Sequence, residues 1–315
     1  MVPELIALGA AAAAELGRKT HVEMEPVPST LIKTYPRRGP LQQFRFAEGT
    51  AYTCFRCGIT KKSKLISVYS GDWSRKLCNG CYGRLLSLYE IKAGTGADDQ
   101  RAEELADALL SLVSVDRQRQ AERLFRASDN RAETLSPEAM RFIATAEHVA
   151  GQLVLNAQLE WSPAVIGLCK AVEAEVVSRV LRPLATLAGP ENLSGDKSDK
   201  DIGRVAAFCM DPQRKPPELG AVAHFLQTVI HSQQRRQTSK LIGCFLRLVA
   251  TWTGSTWLLH PDGLHRALTH LTTTYRNPAA HIDELSRGDY LGCREVTIGS
   301  HGVIWRLITS TERHN

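Results

Sequence analysis

Residues 276–281 read Arg-Asn-Pro-Ala-Ala-His. A guanidinium and an imidazole so close in the chain offer an anion-stabilising cation and a proton-transfer group, the pair needed to hold and cleave a phosphodiester. Asn is a preferred N-cap and Pro is favoured at the first helical position, so Asn277-Pro278 predicts a helix start, with Arg276 just before it and His281 a turn inside. Free N–H groups and the positive dipole end would then attract an anion and disfavour a protonated His281, leaving its imidazole available as a base near neutral pH. With 27 arginines and 10 histidines in 315 residues, chance alone gives roughly 2.6 Arg-to-His pairs separated by four to six residues. Three occur, the others being Arg141/His148 and Arg294/His301. The Asn after Arg276 singles out the first: with only 6 Asn in the chain, the fuller pattern is expected roughly 0.02 times by chance.

The pattern Arg-Asn-x-x-x-His resembles that of the HEPN superfamily, whose ribonuclease members carry it on the last long helix of an up-and-down helical bundle. Arg276, Asn277 and His281 match it one for one. A second patch, running from Trp161-Ser162-Pro163 through Lys170-Ala171-Val172-Glu173 to Glu175, is similar to an early bundle helix of that superfamily. The resemblance covers residues 140–290. It implies a metal-independent endoribonuclease of toxin or antiviral-defence type, in which the ribose 2′-OH attacks the adjacent phosphorus. His281 would be the acid–base group, Arg276 would stabilise the transition state, and Asn277 would fix the helix. The site would be composite, so the resemblance also implies a homodimer, with an antitoxin or another protein as a further partner. Lys170 and Glu173 form an ordinary intrahelical pair by spacing; in the HEPN reading their polar face borders the active centre and contacts RNA. A catalytically silent scaffold and a zinc-dependent nucleic-acid-binding regulator are the alternatives.

The second motif is Cys54-x2-Cys57 followed, after 20 residues, by Cys78-x2-Cys81. Pairs of thiolates two residues apart form tight turns that aim both sulfurs at one ion, the arrangement of a tetrahedral structural zinc site. Leu65 to Tyr69 reads as a strand between the pairs and Leu85 to Tyr89 as a short helix, which predicts a zinc ribbon or treble-clef-like knuckle. With four cysteine ligands no position stays open for water, so Zn²⁺ would stabilise folding and not catalyse. Cys169, Cys209, Cys244 and Cys293 stand singly among apolar neighbours and read as core residues. His260, His265 and His270 recur every five residues, an interval that walks round a helix instead of building a metal site on one face.

Charge is unevenly placed. The chain carries a formal +6, yet residues 33–92 hold twelve Lys or Arg against Glu48, Asp72 and Glu90. Lys61, Lys62, Lys64, Arg75 and Lys76, together with Arg56, are candidate phosphate contacts, with Phe55, Tyr69 and Trp73 interleaved for base stacking.

The elements that must position these groups follow from periodicity. The expected fold is mainly α, a helical bundle preceded by the small zinc module. Residues 1–50 read as an irregular leader, 51–93 as the zinc module, 94–136 as connecting helices, 137–290 as the HEPN-like domain and 291–315 as a hairpin and tail. Apolar residues recur at helical intervals over 98–126 and 137–160, and Ser162-Pro163 starts a helix to about residue 187. Further helices are expected at 202–210, 217–232, 240–259, 262–275 and 278–287, and the alternation from Val296 to Trp305 predicts a terminal β-hairpin. The Ala-rich run at residues 7–14 lacks a basic flank and is too short to span a bilayer, so the expectation is a cytoplasmic protein with no membrane contact.

Overall fold

The computed structural model describes residues 30–155, 161–281 and 285–314; the Ala-rich run and the rest of residues 1–29 lie outside them. The chain is mainly helical, with a small antiparallel sheet near its beginning, and it divides into two units.

The first unit, described over residues 30–53 and 59–76, is a four-stranded sheet. Its strands are β1 (Leu31–Thr34), β2 (Leu41–Thr53), β3 (Thr60–Tyr69) and β4 (Asp72–Leu77), hydrogen-bonded in that order. Ser70 and Gly71, with φ of 53° and 75°, make the β3–β4 connection, and two positive-φ residues are what a two-residue turn needs to follow strand twist. Phe44 on β2 faces Ile66 on β3, and Tyr52, Ile66 and Val68 form the small core with Phe44 and Phe46 packed on it. Residues 30–50, expected as irregular leader, therefore hold β1 and most of β2. Pro36, Gly39 and Pro40 read as loop residues in sequence, but they occupy only the link between those strands, where Arg38 and Leu41 exchange backbone hydrogen bonds of 2.8 and 3.0 Å.

The second unit contains residues 54–58 and everything from Leu77 onward. Its helices are α1 (Asn79–Ala93), α2 (Asp98–Ser111), α3 (Val115–Ser128), α4 (Pro137–Leu155), α5 (Ser162–Val176), α6 (Arg182–Ala188), α7 (Ser194–Lys197), α8 (Gly203–Met210), α9 (Leu219–His231) and α10 (Gln233–Thr238). They continue with α11 (Lys240–Val249), α12 (Ser255–Leu259), α13 (Leu264–His270), α14 (Asn277–Ala280), α15 (Arg287–Ile298) and α16 (Val303–Ser310). Helix α5 is the centre of this unit: every residue but Lys170 is buried, as expected of a helix that is apolar almost all round. Helices α2, α4, α14, α15 and α16 pack against it. Gly167 permits that crowding, because a Cβ there would stand 2.5 Å from Leu109 on α2 and 3.0 Å from Ala146 on α4. Each Val or Leu buried along α5 contributes about 1.5–3 kcal/mol.

Two widened turns interrupt the long helices, and one physical cause accounts for both. Val177–Leu181 and Leu271–Arg276 are π-helical, with the Arg182 N–H reaching Val177 O and the Asn277 N–H reaching Thr272 O. Each is followed directly by an X-Pro pair, Arg182-Pro183 and Asn277-Pro278. A proline inside a helix lacks a donor and crowds the carbonyl four residues back, and a π-turn swings that carbonyl aside. The expected helix start at Asn277 is thus corrected. Asn277 has φ −66° and ψ −49°, caps nothing, and continues a helical path that began at Leu264.

The terminal hairpin is also corrected. Residues 296–305 lie across the joint of α15 and α16, with Gly299 and Gly302 in the turn and the Trp305 indole N–H donating to Ile298 O at 3.0 Å. The apparent alternation is the end of one helix abutting the start of another. A capping box of Ser286 and Asp289 starts α15, and its buried Tyr290, Cys293 and Thr297 keep the helical interval.

Candidate metal centre and candidate active site

The cysteine cluster is assembled by one tight turn and one helix start. After β2 the chain turns through Cys54–Gly58, where the Gly58 N–H donates to Cys54 O at 2.9 Å and φ of 66° suits glycine. Cys78 immediately precedes α1, and Cys81 lies in its first turn. The four Sγ atoms lie within 4.8 Å of one another, and Cys57 and Cys78 are 3.8 Å apart. A tetrahedral tetrathiolate site with metal–sulfur bonds of about 2.3 Å has sulfur–sulfur edges of about 3.8 Å. The donor set therefore fits a metal ion, held by Cys54, Cys57, Cys78 and Cys81 with no place left for water.

Local electrostatics favour a thiolate at Cys54. Burial pushes the Cys54 thiol up, but N–H groups of Cys78, Cys57 and Arg56 donate to its sulfur and bring it down to about 7. The Cys78 N–H, at the helix start, lies 3.3 Å from that sulfur. Burial and the neighbouring thiols push Cys81 well above the usual thiol range, a repulsion that a divalent cation relieves. Arg56 turns inward beside these sulfurs: burial lowers its pKa, against the attraction of Cys81 and the other thiols. At the far end of α1, Lys92 Nζ donates to Ser162 Oγ at 3.1 Å, tying the helix that carries Cys81 and starts beside Cys78 to the start of α5. None of the eight cysteines forms a disulfide, and Cys169, Cys209, Cys244 and Cys293 are all buried.

The Arg-Asn-x-x-x-His run meets the first turn of α2. Arg276 Nη1 donates to Asp99 Oδ1 at 2.5 Å, and His281 Nε2 lies 3.3 Å from Asp98 Oδ2. Adjacent carboxylates thus receive the two motif residues. Acidic residues in a first helical turn are favoured by the dipole, which explains why Asp98 and Asp99 suit their place but gives the sequence no link to residues 276–281.

The two motif residues differ sharply in access. The Arg276 side chain is 1% exposed and that of His281 47%. Arg276 belongs to the core, its guanidinium bonded to Asp99 of α2 and attracted by the buried Glu173 of α5. Burial works against its cation, and the negative charges of Glu173 and Asp99 outweigh that, raising its pKa. Its Nε and Nη2, and Oε2 of Glu173, have no hydrogen-bond partner among the described residues. His281 follows the last turn of α14, its N–H bonded to the Asn277 and Pro278 carbonyls at 3.1 Å each. It stands at the carbonyl-bearing end of a helix, so the expected anion site at a helix N-terminus is absent from this motif.

Lys170 Nζ lies 2.7 Å from both Glu173 and Glu103, on α5 and α2. The intrahelical pair is present and borders Arg276, yet with side chains 11% and 8% exposed Lys170 and Glu173 present little surface to RNA. Burial raises the Glu173 pKa, while Lys170 and Arg276 oppose the rise. Among the other candidates, Lys61, Lys62 and Lys64 are exposed on β3, Arg75 pairs with Asp72 at 3.2 Å, and Lys76 is half-buried. Of the three aromatics, Trp73 alone is well exposed; Tyr69 is buried and Phe55 half-buried. Sequence reasoning missed Asp98, Asp99 and Glu103, which lie more than 60 residues from every group they touch across the fold.

No family model matches the chain, and neither a curated protein nor a solved structure is significantly similar to it. No helix among the described residues is long and apolar enough to cross a membrane.

Proposed function

We propose that the chain is a metal-independent endoribonuclease of HEPN type whose acid–base group is His281, and that its four-cysteine cluster is a structural zinc site. The observation that carries this reading is the meeting of His281 and Arg276 with the neighbouring carboxylates of Asp98 and Asp99. Asp98 orients the exposed imidazole, as a carboxylate commonly does for a catalytic histidine. His281 takes the proton of the ribose 2′-OH as that oxygen bonds to phosphorus, and the 5′-oxygen leaves with a proton, so the products end in 2′,3′-cyclic phosphate and 5′-OH. Arg276 supplies positive charge from the core beside Asp99, and Asn277 holds the helical path beside Pro278. One His281 per chain calls for a second copy to complete the acid–base pair. The cysteine cluster takes no part in the chemistry; when bound, zinc fixes the fold around the start of α1.

Incubated with single-stranded RNA in excess EDTA, the wild-type protein is expected to be a dimer by light scattering and to leave 2′,3′-cyclic or 3′-phosphate ends. Single-stranded DNA, without the 2′-OH, should survive. Fragments bearing 5′-phosphate and 3′-OH, or cleavage that stops in EDTA, would refute the mechanism.

A second reading is favoured by the burial of Arg276. In it the chain is a catalytically silent scaffold, and the guanidinium only joins α2 and α5 to the helix that ends at His281. A well-folded dimer that cuts no RNA over a broad substrate panel is the outcome this reading expects.

A further inference from the structure

The sheet unit carries an aromatic surface with no part in the cysteine cluster or the Arg276 centre. Trp73 on β4 leans over β3 to meet two side chains of β2, with ring centroids 4.7 Å from Phe44 and 6.1 Å from Phe46. Beneath them lie Ile66 and Val68, which are 3% and 0% exposed. Trp73 itself stays 46% exposed. An indole that served only to close a small core would be covered by it. Here one face of the ring rests on Phe44 and much of the remainder meets solvent.

The unit as a whole is basic. Residues 30–53 and 59–76 hold nine Lys or Arg against Glu48 and Asp72. The register pairs Phe44 with Ile66 and, across a shift between Arg45 and Thr50, Tyr52 with Lys61; Tyr52 packs with Ile66 and Val68, so Lys61 shares the aromatic face. Lys61 is exposed and has no ion-pair partner among the described residues. A stacking ring and an unpaired cation on one face are the combination that binds single-stranded nucleic acid without reading its sequence.

We propose that this face of the sheet binds single-stranded RNA, with Trp73 and Phe44 as the platform for an unpaired base and Lys61 on the phosphate backbone. The choice of RNA over DNA rests on the nuclease reading; the platform itself does not. It replaces the aromatic set read from sequence, because Tyr69 is buried on the opposite face while Phe44 and Phe46 join Trp73.

The test is fluorescence anisotropy of a labelled 12-nucleotide oligouridylate with the full chain, zinc-loaded and carrying His281→Ala so that bound RNA stays intact. Trp73→Ala should weaken binding about ten- to hundredfold, while Trp73→Tyr keeps most of it. Lys61→Ala should lower the slope of log affinity against log salt by about 0.7, the counterion release of one single-strand phosphate contact. Circular dichroism and metal content of each variant report whether it is folded. Folded Trp73→Ala that binds within twofold of its parent would overturn the proposal. So would equal affinity for a duplex of the same length, or a Trp73-dependent association with phosphatidylserine vesicles in place of RNA. Failure of the nuclease reading is separate: it would appear as Trp73-dependent RNA binding by a wild-type protein that never cuts.

Discussion

Arg276→Ala is expected to destabilise the helical unit by about 3 kcal/mol, the lower end for breaking a buried ion pair, because Asp99 stays open to water and Lys170 stays beside Glu173. The substitution removes the cation bonded to Asp99 Oδ1 and leaves the buried Glu173 carboxylate short of a neighbour that supports its charge. It also leaves a gap where a large, fully buried side chain lay between α2 and α5. Arg276→Met, which fills space without charge, should recover part of the loss when combined with Glu173→Gln, since the double change removes both members of the unbalanced pair. Urea unfolding of the four proteins measures this. An Arg276→Ala midpoint equal to wild type would mean the guanidinium bears no structural load. Loss of activity in Arg276→Ala would mix catalysis with folding, so His281 is the cleaner probe.

Removing the metal should have the second large effect. Freshly reduced protein is expected to contain one Zn²⁺ per chain, and Cys54→Ser or Cys78→Ser to abolish it. Apparent binding free energies for structural zinc run to about 10–16 kcal/mol, far more than the residues around the cluster can supply by packing. Without it, the negative charges of neighbouring thiolates converge on Cys81 with only the partly buried Arg56 to offset them. The loss should be local: protease sensitivity should rise around residues 54–81, while α4, α5 and α15 keep their protection, because their packing on one another needs no sulfur. Affinity should also fall with acid, since each ligand must lose its proton to bind. Elemental analysis that finds no metal in reduced protein, or full protection in a zinc-free Cys78→Ser chain, would contradict the assignment.

What could be read from the sequence was whatever a single local interaction decides. Two thiols in a turn, repeated, announce a cluster because ligand geometry is local to each pair. The helix at Ser162 was legible because Pro at the second position and a long apolar run agree with each other. Asn277-Pro278 misled for the same local reason. The pair has every mark of a helix start, but the tertiary packing of residues 264–280 against α5 outweighs the defect that Pro278 makes, and the π-turn absorbs it. The terminal hairpin failed because ten residues across two helix ends can mimic an alternation of two. The carboxylates around Arg276 and His281 left no local trace at all: Asp98 and Asp99 are ordinary first-turn acids, and only the fold brings residue 99 against residue 276.

His281 is the proposed acid–base group. It makes one ion-pair contact among the described residues, to Asp98, and is about half-exposed, so His281→Ala should cost less than about 1 kcal/mol in stability. A positioned proton-transfer group typically contributes about 10²–10⁴ in rate. The direct measurement is single-turnover cleavage of single-stranded RNA in EDTA by wild type, His281→Ala, and the sequence look-alikes Arg141→Ala and His301→Ala, each with its melting temperature. A loss of about 10²–10⁴ is expected for His281→Ala at an unchanged melting temperature, with Arg141→Ala and His301→Ala cutting like wild type. Cleavage by folded His281→Ala at the wild-type rate would contradict it.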